Sequence, residues 1–291
     1  MTTVEAAPLT HSQVQSFVDD GFLVVADLVA EEERAAICAE VVRFARGEYP
    51  LLNPVQLEPG ASDEEAASKI LAIHFAHYVS PVVRATISHP GVAGVVSQIA
   101  GAHLAHWDGK IKCMQSMLFL KPPGLPGQAW HQDERFIPTR DRSLVGAWIA
   151  LDDATVDNGC LWVIPGSHRN GYLWPTRPHN NPVEFDPSDE AHEFDEAGAV
   201  PVEVKAGSVV FFNGYMLHRS FRNRSGRTRR ALVNHYCSGW TLLPWPMPPR
   251  DVSSMDIPTL DCRAIVAVGE DPYAWKGLEP EHDYLVYLRP L

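Results

Sequence analysis

The stretch Trp130-His131-Gln132-Asp133 sets an imidazole and a carboxylate two residues apart. A β-strand sends residues i and i+2 to the same face, so a strand here would project both groups together. That is two thirds of a 2-His-1-carboxylate facial triad, which holds non-haem Fe(II) and leaves coordination positions open. The missing ligand must come from elsewhere in the chain. His218 is the best candidate, because it follows the strand-like Ser208-Val209-Val210-Phe211-Phe212 and precedes an arginine-rich turn. Arg229 lies eleven residues past His218, at the head of another apolar run. A guanidinium there could grip a carboxylate in a bidentate fork. Its neighbour Arg230 is a rival, but adjacent strand residues face opposite sides, so only one of the two can point inward.

The elements that must position these groups divide the chain. Thr10-His11-Ser12-Gln13 has the form of a capping box, with Gly21 closing that helix and Phe22-Leu23-Val24-Val25 reading as a strand. Ala30 to Arg46 reads as a second helix, acidic in its first turn. Tyr49 to Ala66 is a surface excursion, and Ser80 to Ile87 and Gly91 to Ile99 are short helices divided at Pro90. From Leu104 onward, short apolar runs alternate with turns: Cys113 to Leu120, Leu144 to Leu151, Leu161 to Ile164, Val202 to Val204, Ser208 to Phe212 and Ala231 to Cys237. Regular short strands of this kind suggest a sandwich or jelly roll. Pro175 to Ala199 is a long polar insertion, a candidate lid, and the tail from Leu242 to Leu291 shows no clear period and is expected to wrap the core irregularly.

Length and composition are those of an ordinary globular protein: 291 residues, 45% hydrophobic and 21% charged. The net charge of −12 argues against general nucleic-acid binding. One local exception is the cluster of Arg219, Arg222, Arg224, Arg227, Arg229 and Arg230, read either as a solvated turn with ion pairs or as a mouth for anionic small molecules. Five scattered cysteines without CxxC spacing read as reduced thiols of a cytoplasmic protein. No signal-peptide pattern opens the sequence and no run reaches the length of a membrane span. His74, His77, His103, His106, His168 and His235 read as hydrogen-bonded structural histidines.

Four motifs in order, "LTHSQVQSFVDDGFLVV", "QSMLFLKPP" with "WHQD", "WIALDDATVDNGCLWVIPGSH" and "HRSFRNRSGRTRRAL", resemble the phytanoyl-CoA dioxygenase family of Fe(II)- and 2-oxoglutarate-dependent oxygenases. The resemblance runs from Leu9 to about Cys237. It implies a mainly β fold with flanking helices, a double-stranded β-helix or jelly roll of the cupin type. One domain over residues 1–291 is expected, with a helical part to 100, a core over 104–237 and a tail over 238–291. It also implies that His131, Asp133 and His218 hold Fe(II) and that Arg229 binds the far carboxylate of 2-oxoglutarate, assisted by Ser220. Trp148, Met117 and, in a loosely aligned region, Lys69 would line the co-substrate pocket, with Gln115 facing either co-substrate or substrate. The implied reaction uses O2, decarboxylates 2-oxoglutarate to succinate and CO2, and hydroxylates an unactivated C–H bond. In related halogenases a small residue replaces the carboxylate ligand, so the presence of Asp133 favours hydroxylation. A small organic substrate is expected over an acyl-CoA, and the protein is expected to be a monomer or homodimer. The rival reading is a non-catalytic, cupin-like metal-binding protein.

Overall fold

Thr10 starts the first helix through its side chain. Its Oγ accepts from the Gln13 N–H while the Gln13 carboxamide accepts from the Thr10 N–H, a capping box at the head of α1 (His11–Asp20). Gly21, at φ 83°, closes the helix in the left-handed region and leads into β1 (Phe22–Val25). The structure, a computed structural model, describes residues 8–51, 54–241, 264–276 and 286–290. Helices α2 (Glu31–Ala45), α3 (Asp63–Ser68), α4 (Pro81–Ile87) and α5 (Pro90–Ile99) follow, and α3 occupies the end of the expected surface excursion.

The strands are β2 (Ile70–His74), β3 (Ile111–Lys121), β4 (Val145–Ala150), β5 (Leu161–Val163), β6 (Thr176–Pro178), β7 (Asp189–Ala191), β8 (Val200–Val202), β9 (Val209–Asn213), β10 (His218–Ser220), β11 (Arg229–Ser238), β12 (Ile265–Val268) and β13 (Tyr287–Pro290). One large sheet runs β1-β9-β4-β11-β3-β2-β13, with β12 also on β3, and a small sheet runs β10-β5-β8. Every pairing between named strands is antiparallel. This is the expected jelly roll.

The central strands β4, β9 and β11 are buried on both faces, which is why they read as continuous apolar runs and not as alternations. On β11, Leu232 and Tyr236 join Ile37, Val41, Phe44, Ile87 and Val96 of the helices, while Ala231 and Val233 join Trp148, Val210 and Leu161 inside the roll. The outward Asn234 donates to Thr86 Oγ1 (2.9 Å), and Tyr236 donates to Ile87 O (3.0 Å), tying α4 to the sheet. Each fully buried Leu or Ile here contributes about 1.5–3 kcal/mol relative to exposure. Inward-facing polar groups on the same strands are therefore held on a rigid wall.

The tail, one unread segment and the insertion depart from or add to the sequence reading. The tail is not irregular throughout: β12 extends the sheet at β3 and β13 pairs with β2, each with a register shift. Trp245, Cys262 and most of the tail lie outside the described residues. β2 had no sequence reading, because five residues between a helix and a turn carry no alternation of their own. The insertion over 175–199 contains a β6–β7 hairpin. Among the described residues no helix is long and apolar enough to cross a membrane.

Candidate active site

His131 and His218 meet as an antiparallel bridge, each N–H donating to the other's carbonyl at 3.0 and 3.1 Å. The strand expected through His131 and Asp133 does not form. Gln132 is extended (φ −131°, ψ 125°), and Asp133 opens a one-turn 3-10 helix ending at Arg135. One extended residue is enough to bring 131 and 133 to the same side. Gln132 can serve as that hinge because its carboxamide is fully tethered: it donates to Tyr172 O (2.9 Å) and Tyr215 O (2.6 Å) and accepts from Trp174 N (2.9 Å).

Asp133 Oδ1 lies 3.7 Å from both His131 Nε2 and His218 Nε2. The three ligand atoms fall within 4.8 Å of one another, all in buried or nearly buried positions. The tautomers are fixed by the backbone. His131 Nδ1 faces Ala129 O (2.8 Å) and His218 Nδ1 faces Met216 O (3.0 Å), so Nδ1 carries the proton and each Nε2 lone pair points at the shared space. Two neutral imidazoles and a carboxylate on one side of a shared point fit Fe(II) with open positions. Burial pushes His218 down to about 4, with His131 adding to the shift. Burial alone would raise the Asp133 carboxyl, but His218, His235 and His131 hold it well below the usual carboxylate range. His235 does so partly by donating Nε2–H to Asp133 Oδ2 at 3.0 Å. The next residue, Glu134, accepts from Thr139 N and Oγ1, and burial raises its carboxyl to about 7.

A second cluster lies along the same wall. Arg229 and Lys121 are cross-strand partners at the ends of β11 and β3, both buried. Burial lowers Arg229 to about 10; it lowers Lys121 well below its ordinary value, with Arg229 as the next cause. Arg229 donates to Gly159 O (3.3 Å), lies 5.4 Å from the Trp148 ring centroid, and has no partner for Nε. Lys121 Nζ donates to Ser220 Oγ and Phe221 O, each at 2.8 Å, and reaches Gly159 O at 3.4 Å. Gly159 (φ 81°) permits this approach, since a Cβ there would lie 2.9 Å from Lys121 Nζ. Arg230 points the other way, in a bidentate pair with Asp152 at 2.7 and 2.8 Å.

Both clusters open on one cavity of about 330 Å³. His131, Asp133, His218, Arg229, Ser220, Trp148, Met117 and Gln115 all line it. Lys69 does not. It caps the C-terminus of α3, one residue before β2, and the lysine in the cavity is Lys121. Lys121 was not singled out in the sequence, and His235, read there only as a hydrogen-bonded structural histidine, makes that hydrogen bond to Asp133 on the cavity wall. The signal was parity: once Arg229 faces inward on a strand, so must Ala231, Val233 and His235, and the same holds for Gln115, Met117, Phe119 and Lys121 on β3.

The arginine cluster is engaged with the insertion. Arg219 pairs with Glu196 (2.9 Å) and stacks on Trp130 and Phe221 at 4.3 and 4.4 Å, Arg222 donates to Val183 O (3.2 Å), and Arg224 pairs with Glu184 (2.5 Å). The insertion also docks through backbone bonds from Gly127 N to Glu184 O and from Asp186 N to Gly127 O, both 2.7 Å, and it brings Asp186 and Ser188 to the cavity wall.

Comparison with known proteins fits this geometry. The family model for phytanoyl-CoA dioxygenase (PhyH) matches residues 17–231. Phytanoyl-CoA dioxygenase 1 of Oryza sativa subsp. japonica is 36% identical over 260 residues, covering 79% of this chain and 89% of that relative. The chain belongs to the phytanoyl-CoA dioxygenase family. It is accordingly a dioxygenase dependent on Fe(II) and 2-oxoglutarate, acting on a small molecule. A phytanoyl-CoA dioxygenase of Arabidopsis thaliana is 42% identical over a shorter stretch of 123 residues, 43% of that relative's length. The ectoine dioxygenase of Bordetella parapertussis is 29% identical over 250 residues, covering 80% of this chain and 77% of that relative. Among solved structures, EctD from S. alaskensis with bound Fe shares the fold (TM-score 0.61, 23% identity, 82% of this chain and 80% of that one).

Proposed function

We propose that His131, Asp133 and His218 hold Fe(II), and that Arg229 with Ser220 takes the far carboxylate of 2-oxoglutarate, with Trp148 and Met117 as walls. The observation that carries this reading is the shared cavity. A facial set of two neutral imidazoles and a carboxylate stands in one chamber with a buried guanidinium that has no carboxylate partner among the described residues. A plain metal-binding protein has no need of such a cation, and burying it is costly until an anion arrives.

Ser220 accepts from both Lys121 Nζ and Gln128 N (3.3 Å), so its own O–H is left to donate. An arriving carboxylate would receive that proton and the guanidinium fork together. The bound metal and co-substrate supply the oxidation: O2 gives one oxygen atom to succinate, with loss of CO2, and one to the substrate C–H. The chain positions the reactants and excludes water.

A small organic substrate is favoured over an acyl-CoA, because Arg219, Arg222 and Arg224 are committed to the insertion and not left for CoA phosphates. We further propose that residues 1–291 act as one catalytic domain, as a cytoplasmic monomer or homodimer. The pairing of β1, β2, β12 and β13 with the large sheet supports the first point. The test is substrate-independent CO2 release from 2-oxoglutarate under Fe(II) and O2. Turnover in the parent protein and its loss in Asp133→Ala is expected; equal rates in both would overturn the assignment.

A further inference from the structure

Lys121 stands where a lysine is costly. It is buried at the end of β3, directly across from the buried Arg229, and no ion pair reaches it among the described residues. Two cations side by side out of water repel, and an apolar side chain of similar length would fill the space without that cost. Nor is the ammonium the tie that fastens β3 to the turn between β10 and β11. Asn223 does that: its buried Nδ2 donates to Lys121 O and Arg227 O, both at 2.7 Å.

What the ammonium does is set other donors. Its three N–H groups meet three oxygens: Ser220 Oγ and Phe221 O at 2.8 Å, and Gly159 O at 3.4 Å. None is left over for a ligand in the cavity. A hydroxyl has one proton and two acceptor directions. On Ser220, Lys121 Nζ and the Gln128 N–H (3.3 Å) fill both acceptor directions, so the proton keeps a single one. Ser220 and Arg229 both line the cavity, and Arg229 Nη2 donates at 3.3 Å to the same Gly159 carbonyl that Lys121 reaches. The lysine thus fixes one donor of the proposed carboxylate site directly and shares an anchor with the other.

We infer that Lys121 is a positioning residue for the co-substrate: it aims the Ser220 hydroxyl at the far carboxylate without a hydrogen bond of its own to that group. Its charge reinforces that of Arg229 beside it. With the ammonium removed, one acceptor direction on Ser220 Oγ falls empty and the hydroxyl proton can turn toward the vacated side. Preference for a 2-oxo diacid over a 2-oxo monoacid then runs through Lys121 as well as through the groups that touch the ligand. This inference rests on the oxygenase reading above and deepens it at the co-substrate end.

The test uses the full chain, anaerobic and loaded with Fe(II), titrated with 2-oxoglutarate and with 2-oxopentanoate, the same five-carbon 2-oxo acid without the far carboxylate. Chelation is followed by the visible absorption band, and Fe(II) affinity is measured separately. Lys121→Met and Ser220→Ala are each expected to weaken 2-oxoglutarate about tenfold, as for one lost hydrogen bond to a charged group. Both should leave Fe(II) and 2-oxopentanoate affinity within about twofold of the parent. Because the two residues act on one hydroxyl, the double variant should fall well short of the roughly hundredfold loss that independent sites would give. Equal weakening of both acids in Lys121→Met, unchanged 2-oxoglutarate affinity in it, or a double variant that reaches the full product would overturn the inference. So would loss of Fe(II) binding in Lys121→Met, the sign of a wholly structural lysine. Absence of the visible band with 2-oxoglutarate in the parent protein would instead overturn the oxygenase reading.

Discussion

Arg229 and Lys121 are cross-strand partners whose buried cationic side chains line one cavity, with no ion pair to either among the described residues. Two like charges in low dielectric repel, so the empty protein carries a cost that a dianionic ligand relieves. Arg229→Met should leave stability without 2-oxoglutarate unchanged or raise it by up to about 2 kcal/mol. The same variant should lose the stabilisation that saturating 2-oxoglutarate gives the parent, about 2.7 kcal/mol at a hundredfold excess over Kd. Urea denaturation with and without the co-substrate checks both.

The hydrogen bond from His235 Nε2 to Asp133 Oδ2 orients the carboxylate of the proposed metal site. Partners of this kind are worth about 10–100-fold in metal affinity. His235→Ala should lose that much in an anaerobic Fe(II) titration, and His235→Gln should recover most of it. Equal losses in the two would mean that the imidazole acts through packing alone.

Stability of the metal-free protein should depend on pH through two groups of opposite sign. His218 falls to about 4 on folding, so between pH 4 and 6.5 the unfolded chain binds more protons and stability rises with pH. Glu134 rises to about 7, so between pH 4.5 and 7 the folded chain binds more protons and stability falls as pH rises. The two partly cancel in the parent. Glu134→Gln removes the second, and urea denaturation between pH 4.5 and 6.5 should then show a steeper rise of stability with pH. An unchanged slope would contradict the burial of Glu134 as an acid.

Arg224 and Glu184 form an ion pair in which Arg224 is exposed. Such pairs are worth about 0–1 kcal/mol and are screened by salt. Arg224→Ala should therefore change the melting temperature little, and less still at high ionic strength. A large loss would show that the docked insertion depends on this contact.

The sequence carried more of the site than of its scaffolding. His131, Asp133, His218 and Arg229 were legible because metal and carboxylate chemistry admits few residue types at few spacings. The helix headed by Thr10 and closed by Gly21 was legible because its caps are local. What escaped was set by long-range pairing. Lys121 reaches Ser220 across 99 positions and His235 reaches Asp133 across 102, so no local pattern announces either contact. The expected strand at His131 stops at a single bridge to His218, because Asp133 opens a 3-10 turn directly after Gln132. Lys69 was misplaced where a helix end, not a strand, sets its direction.

The central claim is that one cavity chelates a metal and 2-oxoglutarate together. Anaerobic titration of the metal-free protein with Fe(II) and then 2-oxoglutarate, watching for the weak visible charge-transfer band, tests it most directly. The account predicts a band that needs both additions, is absent in Asp133→Ala, and requires far more 2-oxoglutarate in Arg229→Met. Tight Fe(II) binding with no band at any 2-oxoglutarate concentration would contradict it.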